Sequence, residues 1–281
     1  MRKLATVSIA ASLLLFATIA GAEECRYNAP RNADISAAGL HSLLLRLGSS
    51  DLDVRGVAGL DRIEVRGTAC ASKQEWLQDL QVTTDRSGDQ ARVDAEHHTN
   101  TSIFNLFGDS YAYLKLEVRV PQALAVKIDS GSGDMQAEGL ASLDVESGSG
   151  DLIAGNIAGA LSLQLGSADV RANNIGSVNL RGTGSGDVHI DGVQTDVQAD
   201  HSGSGDLSFS NVRGSVRVGS TGSGDINFTD IGRDAEVGST GSGDVTANGV
   251  GGNFTVRATG SGDVRYHDVK GKVSVPNQDD D

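Results

Sequence analysis

Eight aspartates recur at a nearly fixed spacing through the second half of the chain, each at the end of a Gly-Ser-Gly-Asp motif or a close variant of it. The intervals between them are 17, 18 and 18 residues, and then 19 residues four times. A row of carboxylates flanked by serine hydroxyls could bind calcium, because this ion prefers carboxylate and carbonyl oxygens. The same side chains could instead accept hydrogen bonds from turn N–H groups, as short acidic side chains often do. The eight residues are Asp134, Asp151, Asp169, Asp187, Asp206, Asp225, Asp244 and Asp263.

The spacing of the motif favours a structural turn over a calcium site. Calcium-binding β-helices carry a nonapeptide repeat, so that a Gly-Gly-x-Gly-x-Asp ligand loop occurs twice in every coil. Here each repeat has one Gly-Ser-Gly-Asp motif, without the paired glycine and without a second loop opposite it. We therefore interpret the eight residues, named the aspartate ladder below, as turn residues. A row of calcium sites is kept as the alternative.

The residues between the aspartates form columns that predict β-strands. With each aspartate counted as position 1, positions 2 and 7 are aliphatic or Met in every repeat, and position 4 is Ala, Ile, Phe or Tyr. A further apolar pair, such as Val216 and Val218, continues the period-2 alternation that is typical of half-buried strands. Position 6 holds residue types that tolerate the left-handed backbone conformation of a tight corner. These residues are Gly139, Asn156, Asn174, Gly192, Asn211, Asp230, Gly249 and Asp268.

The columns predict that the repeats stack on one another. A single coil of strand, corner, strand and turn cannot bury its apolar edge, whereas stacked coils form a continuous core. Neighbouring coils would pair in parallel about 4.8 Å apart, which gives an array roughly 38 Å long. The sequence therefore predicts an all-β fold, a parallel β-helix (solenoid) of about 8 coils with 17–19 residues in each coil.

The start of the chain has the features of an export signal. Arg2 and Lys3 precede a short apolar run, which is followed by small residues that end at Ala22. No later apolar run approaches the roughly 18 residues that a membrane-spanning helix needs. We expect an exported protein, in the periplasm or at the cell surface. Its predicted parts are a signal peptide at residues 1–22, a capping region at residues 23–128 and a repeat domain at residues 129–281.

The capping region is expected to be β-rich, with one degenerate coil and one short helix. Residues 48–57 repeat the columns of the later coils, and residues 71–80 have apolar side chains on one helical face. Residues 99–110 are predicted to form a polar loop that carries Phe104 and Phe107. These aromatic side chains either cover the open end of the solenoid or contact a ligand, and we favour the cover.

Charge and cysteine content narrow the classes of partner. The chain has 23 basic and 37 acidic residues, a formal net charge of −14, which argues against nucleic acid and anionic membrane surfaces. Its two cysteines, Cys25 and Cys70, are expected to form a disulfide in an exported protein. In the chain-entropy model this cross-link stabilises the fold by about 4 kcal/mol. Two cysteines without histidines at ligand spacing do not suggest a metal site, and no cofactor is expected.

Two sequence features resemble a known bacterial family. They are the lead-in LEVRVPQALAVKIDSGSGDM and the repeated TGSGD, which are similar to those of the β-strand-repeat proteins of unknown function. That family is related to the auto-transporter adhesin head domain, also called the GIN domain. The resemblance spans roughly residues 40–275. It implies a right-handed parallel β-helix in the periplasm or at the cell surface, with no established catalytic residues to transfer.

The repeat favours a binding or structural role over catalysis. A polysaccharide-active β-helix enzyme would need carboxylates clustered in a groove, whereas those of this chain are spread evenly along a line. We therefore expect a non-enzymatic, adhesin-like protein whose partner is an unidentified envelope polysaccharide or protein. A calcium-binding solenoid and, less favoured, a polysaccharide-active enzyme are the alternatives. One candidate contact line is the threonine column, formed by Thr183, Thr221, Thr240 and Thr259.

Overall fold

A computed structural model describes residues 25–95 and 111–276, and these residues are almost entirely β-strand. The expected signal peptide, the loop at residues 99–110 and residues 277–281 lie outside the described residues. The helix found in the described ranges is the 3₁₀ helix Gln74–Gln78, and no helix there is long and apolar enough to cross a membrane. The strands are β1 (Tyr27–Ser36), β2 (Ser42–Gly48), β3 (Asp51–Val57), β4 (Arg62–Ala71), β5 (Thr83–Ser87), β6 (Gln90–Asp94), β7 (Ala112–Pro121), β8 (Ala125–Ser130), β9 (Met135–Glu138), β10 (Ser142–Ser147), β11 (Leu152–Leu165), β12 (Val170–Gly182), β13 (Val188–Val193), β14 (Val197–Ser202), β15 (Leu207–Val212), β16 (Val216–Thr221), β17 (Ile226–Ile231), β18 (Ala235–Thr240), β19 (Val245–Val250), β20 (Phe254–Thr259), β21 (Val264–Val269) and β22 (Val273–Ser274).

Each coil contributes strands whose side chains alternate between the core and the surface. In β13, Val188 and Ile190 are buried, and His189 between them is exposed. Such alternation places every second residue on the same face of a strand, so one face can pack inward while the other meets water. The buried side chains of successive coils join in a single hydrophobic core.

The coils stack in parallel and in register. Strands β13, β15, β17, β19 and β21 pair in this order along one side of the array, and β14, β16, β18, β20 and β22 pair along another. Phe209 pairs with Phe228, for example, and their rings stack with centroids 6.5 Å apart. The structure confirms the predicted all-β solenoid of about eight coils.

Position 6 of every repeat turns the chain through the left-handed conformation, as predicted. The glycines at this position have φ of 70° or 76°. The asparagines and aspartates have φ of 53° or 54°, a region that few other residue types adopt without strain. These non-glycine residues are Asn156, Asn174, Asn211, Asp230 and Asp268.

The second glycine of the motif is required by the close approach of neighbouring coils. A Cβ atom on Gly224 would lie 2.0 Å from the carbonyl oxygen of Gly205 in the preceding coil. A Cβ atom on Gly243 would lie equally close, 2.0 Å, to the carbonyl oxygen of Gly224. Any side chain here would therefore push the coils apart, so backbone stacks directly on backbone at this turn.

The first strands do not stack in the order of the sequence. Strand β2 lies between β6 and β8, and β3 lies between β7 and β9, with parallel pairing on both sides. Leu52 pairs with Met135, and Val54 pairs with Ala137. Residues 48–57 thus occupy the columns of the later coils, but strands that come later in the chain stack on both sides of them.

Antiparallel strands complete this end of the array. Strand β4 pairs antiparallel with β1 and β7, and β5 pairs antiparallel with β6. Cys25 and Cys70 form a disulfide, with their Cα atoms 5.5 Å apart, which joins the chain just before β1 to β4. The 3₁₀ helix, shorter than the ten-residue segment expected to be helical, is held to β1 because Arg31 donates hydrogen bonds to the carbonyls of Leu77 and Leu80.

Candidate functional site

The aspartate ladder is a chain of hydrogen bonds between coils. The backbone N–H of Asp244 donates to Oδ1 of Asp225 in the preceding coil, at 2.8 Å, and the N–H of Asp225 donates in the same way to Asp206, at 2.8 Å. The pattern reaches Asp51 of the degenerate coil, which accepts from the N–H of Asp134 at 3.2 Å, with one interruption, since the N–H of Asp169 does not donate to Asp151. One carboxylate oxygen of each of these acceptors is therefore used by the fold, as a turn role requires.

The last rungs of the ladder are neutralised by an arginine. Arg265 donates to Oδ2 of Asp244 at 2.6 Å and to Oδ2 of Asp263 at 2.5 Å. The hydrogen bond from the backbone N–H of Asp263, and then that from Arg265, hold the pKa of Asp244 below its ordinary value. Across residues 25–95 and 111–276, no group of three or more His, Cys, Asp and Glu side chains is placed to hold a metal ion.

A second ladder of the same kind runs along another corner, at position 10 of the repeats. Asp234 Oδ1 accepts the N–H of Asn253 at 2.7 Å, and Asn253 Oδ1 accepts the N–H of Lys272 at 2.9 Å. Two coils earlier, Asp196 Oδ1 accepts the N–H of Ser215 at 2.8 Å. This ladder was not predicted from the sequence, although Asp196, Asp234 and Asn253 recur at multiples of 19 residues.

Three of the four threonines of the column are buried and Thr259 is half-buried, so the prediction that the column forms an exposed contact line is wrong. The exposed fractions of Thr183, Thr221 and Thr240 are 4%, 6% and 5%. Thr240 Oγ1 donates to the carbonyl of Gly243 at 2.9 Å, which fixes the turn from inside. Thr240 points inward because the period-2 alternation of the strand breaks just before it, where Gly238 and Ser239 are both less buried. Thr183 and Thr240 therefore support the turn from inside, and the three buried threonines are not available to a partner.

Each regular coil has a second strand, such as β16, β18 or β20. Charged side chains on the outer face of these second strands neutralise one another between coils. Arg217 Nε contacts Glu236 Oε2 at 2.9 Å, and Arg257 contacts the other oxygen of the same carboxylate. In the earlier coils Lys127 Nζ contacts Glu146 Oε1 at 2.8 Å, which lowers the pKa of Glu146 and raises the pKa of Lys127. These pairs are exposed, so each adds little stability, but they leave few free cations on this face.

An open groove runs along the left-handed corner of four consecutive coils. We call it the corner groove, and its volume is about 810 Å³. It is concave because Gly232 and Gly251 carry no side chain, while the valine or isoleucine before each of them is buried in the core. The groove is lined by residues 211–213, 230–232, 249–251 and 268–270.

One side of the corner groove carries cations without partners. Arg213 and Lys270 line it, Arg233 directly follows the lining residue Gly232, and Lys272 lies two residues after Lys270. The side chains of these four residues form no ion pair and no hydrogen bond with any residue that the structure describes. The corner therefore differs from the outer face of the second strands, where neighbouring coils supply the counter-charge.

The other side of the groove carries acceptors and an amide. Asp230, Asp268 and Asn211 stand there at position 6. Asn211 Nδ2 donates to Asp191 Oδ1 in the preceding coil at 2.6 Å, and Ser210 donates to the same oxygen at 2.7 Å. These two hydrogen bonds, that from Asn211 first, hold the pKa of Asp191 below its ordinary value. The corner groove thus offers cations on one side and hydrogen-bonding groups on the other.

Comparison with known proteins identifies the family. The model of the Toastrack DUF4097 family matches residues 45–218, which is more than half of the chain. The chain belongs to this family. The match begins in β2 and ends in β16, so it includes the non-sequential coil as well as the regular repeats. This confirms the resemblance to bacterial β-repeat proteins of unknown function. No curated protein matches the chain.

Three crystal structures are similar to the chain. A "putative adhesin" from Parabacteroides distasonis is 14% identical with a TM-score of 0.51, over 85% of this chain and 97% of that one. A "putative adhesin" from Bacteroides fragilis is 11% identical with a TM-score of 0.47, over 86% and 98%. A "putative lipid binding protein" from Parabacteroides distasonis is 15% identical with a TM-score of 0.41, over 89% and 97%. At these identities the first likeness shows a shared fold and nothing about function.

Proposed function

We propose that this protein is an exported, non-enzymatic, adhesin-like module that binds an extended envelope component in its corner groove. In this proposal residues 1–22 are a signal peptide, residues 23–128 cap the array and residues 129–281 form a right-handed solenoid. The mature protein acts in the periplasm or at the cell surface. The names of the structurally similar adhesins agree with such a role.

The observation that carries the proposal is the length and regularity of the corner groove. Four coils contribute equivalent segments to it, and neighbouring coils lie about 4.8 Å apart. A ligand that extends along the array meets the same backbone geometry at every step, which is how repeat proteins commonly bind long partners. A compact substrate would use only part of this surface.

The hydrogen bonds of the acidic residues support a binding role over catalysis. A glycosidase needs two carboxylates that face each other across a scissile bond. The ladder carboxylates instead accept backbone N–H groups from the next coil, at 2.8 Å for both Asp206 and Asp225. Catalytic groups interrupt a repeat, whereas these residues continue it.

Co-sedimentation with isolated cell envelopes tests the proposal. The mature protein is expected to sediment with the envelopes, and the double variant Arg213→Gln/Lys270→Gln is expected to sediment much less. The matched control is Arg217→Gln/Arg257→Gln, which removes two arginines from the outer face of the second strands and should behave as the wild type. A wild-type protein that stays in the supernatant, or two double variants that behave alike, would refute the proposed function.

A further inference from the structure

We propose that the corner groove binds a carboxylate-bearing polysaccharide that lies along the axis of the array. The acidic groups of the polysaccharide contact Arg213 and Lys270, and the hydroxyl groups of its sugars contact the opposite side of the groove. The inference rests on the proposed binding function and assigns a ligand class to the same site.

The charge distribution points to an anionic ligand. The protein carries 37 acidic and 23 basic residues, so an unpaired cation has many carboxylates available as partners. Arg217 and Lys127 each form an ion pair with a carboxylate in a neighbouring coil. Arg213 and Lys270 have none among the described residues, although both line the same groove. The carboxylates of Asp230 and Asp268 also line the groove, but they stand at position 6, so the unpaired cations face an anionic ligand from the opposite, position-8 side.

The geometry points to a polymer. Arg213 and Lys270 are three coil steps apart, which corresponds to about 14 Å along the array. A small anion could reach only one of them at a time. An extended chain that runs along the axis can place an acidic group near each cation, and Gly232 and Gly251 between them leave room for its backbone.

The opposite side of the groove points to a sugar chain. Asp230 and Asp268 can accept hydrogen bonds from hydroxyl groups, and Asn211 can both donate and accept. Arginine binds carboxylates through two parallel hydrogen bonds, which suits a uronic acid. Nucleic acid fits less well, because the residues that line the groove include no aromatic side chain on which bases could stack.

Calorimetry with defined polysaccharides tests the inference on the mature protein. The probes are polygalacturonate, alginate and hyaluronate, with methyl-esterified polygalacturonate as the neutral counterpart that has the same sugar backbone. We expect at least one acidic probe to bind, the esterified chain not to bind, and affinity to fall as salt rises. Arg213→Gln/Lys270→Gln should weaken binding roughly tenfold, since each exposed ion pair contributes up to about 1 kcal/mol. Arg217→Gln/Arg257→Gln should leave the affinity unchanged.

The outcomes separate the ligand class from the binding function. If none of the acidic probes binds, if the esterified chain binds equally well, or if the groove variant keeps full affinity, the ligand class is wrong. Tighter binding of inorganic polyphosphate than of every polyuronate would also overturn it. The proposed function fails separately, when the mature protein does not sediment with cell envelopes at all.

Discussion

Replacing Asp225 distinguishes the turn role of the aspartate ladder from a cation site. In the folded protein its Oδ1 accepts the N–H of Asp244 at 2.8 Å, and its own N–H donates to Asp206 at 2.8 Å. The variant Asp225→Asn keeps an acceptor oxygen at this position and removes the charge. The variant Asp225→Ala removes both the acceptor and the charge.

The expected stabilities follow from two opposing contributions. Carboxylates in adjacent coils, about 4.8 Å apart, repel each other by about 0.9 kcal/mol in water. Of the two neighbours of Asp225, Asp244 is paired with Arg265, so Asp206 alone contributes this repulsion in full. A hydrogen bond to the turn N–H contributes about 1 kcal/mol. The free energy of unfolding should therefore rise by up to about 1 kcal/mol in Asp225→Asn, and the free energy of unfolding of Asp225→Ala should lie about 1 kcal/mol below that of Asp225→Asn.

Thermal unfolding of the mature protein, followed by circular dichroism, measures this difference. In chelator, Asp225→Asn should melt about 2–4 °C above Asp225→Ala for each kcal/mol that separates them. Ser223→Ala, an exposed change in the same turn, is the control and should leave the melting temperature unchanged. Equal melting temperatures for the two Asp225 variants would refute the hydrogen-bond role. Stabilisation of the wild type by millimolar calcium, lost in Asp225→Asn, would establish the cation site instead.

Three further predictions concern the core, the stacking of the coils and the response to acid. Phe228→Ala should lower the free energy of unfolding by about 3–5 kcal/mol in urea titrations, whereas exposed Asn227→Ala should stay within about 0.5 kcal/mol of the wild type; equal effects would contradict the assigned register. Gly224→Ala places a Cβ atom 2.0 Å from a carbonyl oxygen of the preceding coil, so it should lower the melting temperature sharply while Ser223→Ala does not. Because hydrogen bonds hold the pKa of Asp191 below that of the unfolded chain, its stabilising contribution is complete above about pH 4 and is lost as the pH falls through the folded value. Asp191→Asn should therefore weaken the dependence of the melting temperature on pH below pH 4; an unchanged profile would show that this carboxylate contributes nothing.

The regular part of the fold could be predicted because one column of residues fixes one location in every coil. Position 2 must be apolar where it faces the core, and position 6 must tolerate a positive φ, so Asn211 and Asp230 reveal a corner without any structure. The columns state which residues share a face, but they do not state the order of the coils. The insertion of β2 and β3 between later strands was therefore not predictable from spacing alone.

The candidate site was harder to predict because it depends on which side chains find partners. The threonine column was predicted to be exposed. The sequence does not show whether a threonine hydroxyl at a strand end donates to a carbonyl inside the fold, as that of Thr240 does. The sequence also shows Arg213 and Arg217 as two similar arginines. In the structure the second is paired with Glu236 and the first is unpaired in the groove. Pairing between coils decides this difference, and it requires the register.

Amide NMR spectra of the mature protein, recorded with and without soluble polysaccharide from the cell envelope, test the central claim most directly. The account predicts shift changes confined to the four segments of the corner groove, at residues 211–213, 230–232, 249–251 and 268–270. Unchanged spectra, or changes centred on the aspartate ladder or on the outer face of the second strands, would contradict it.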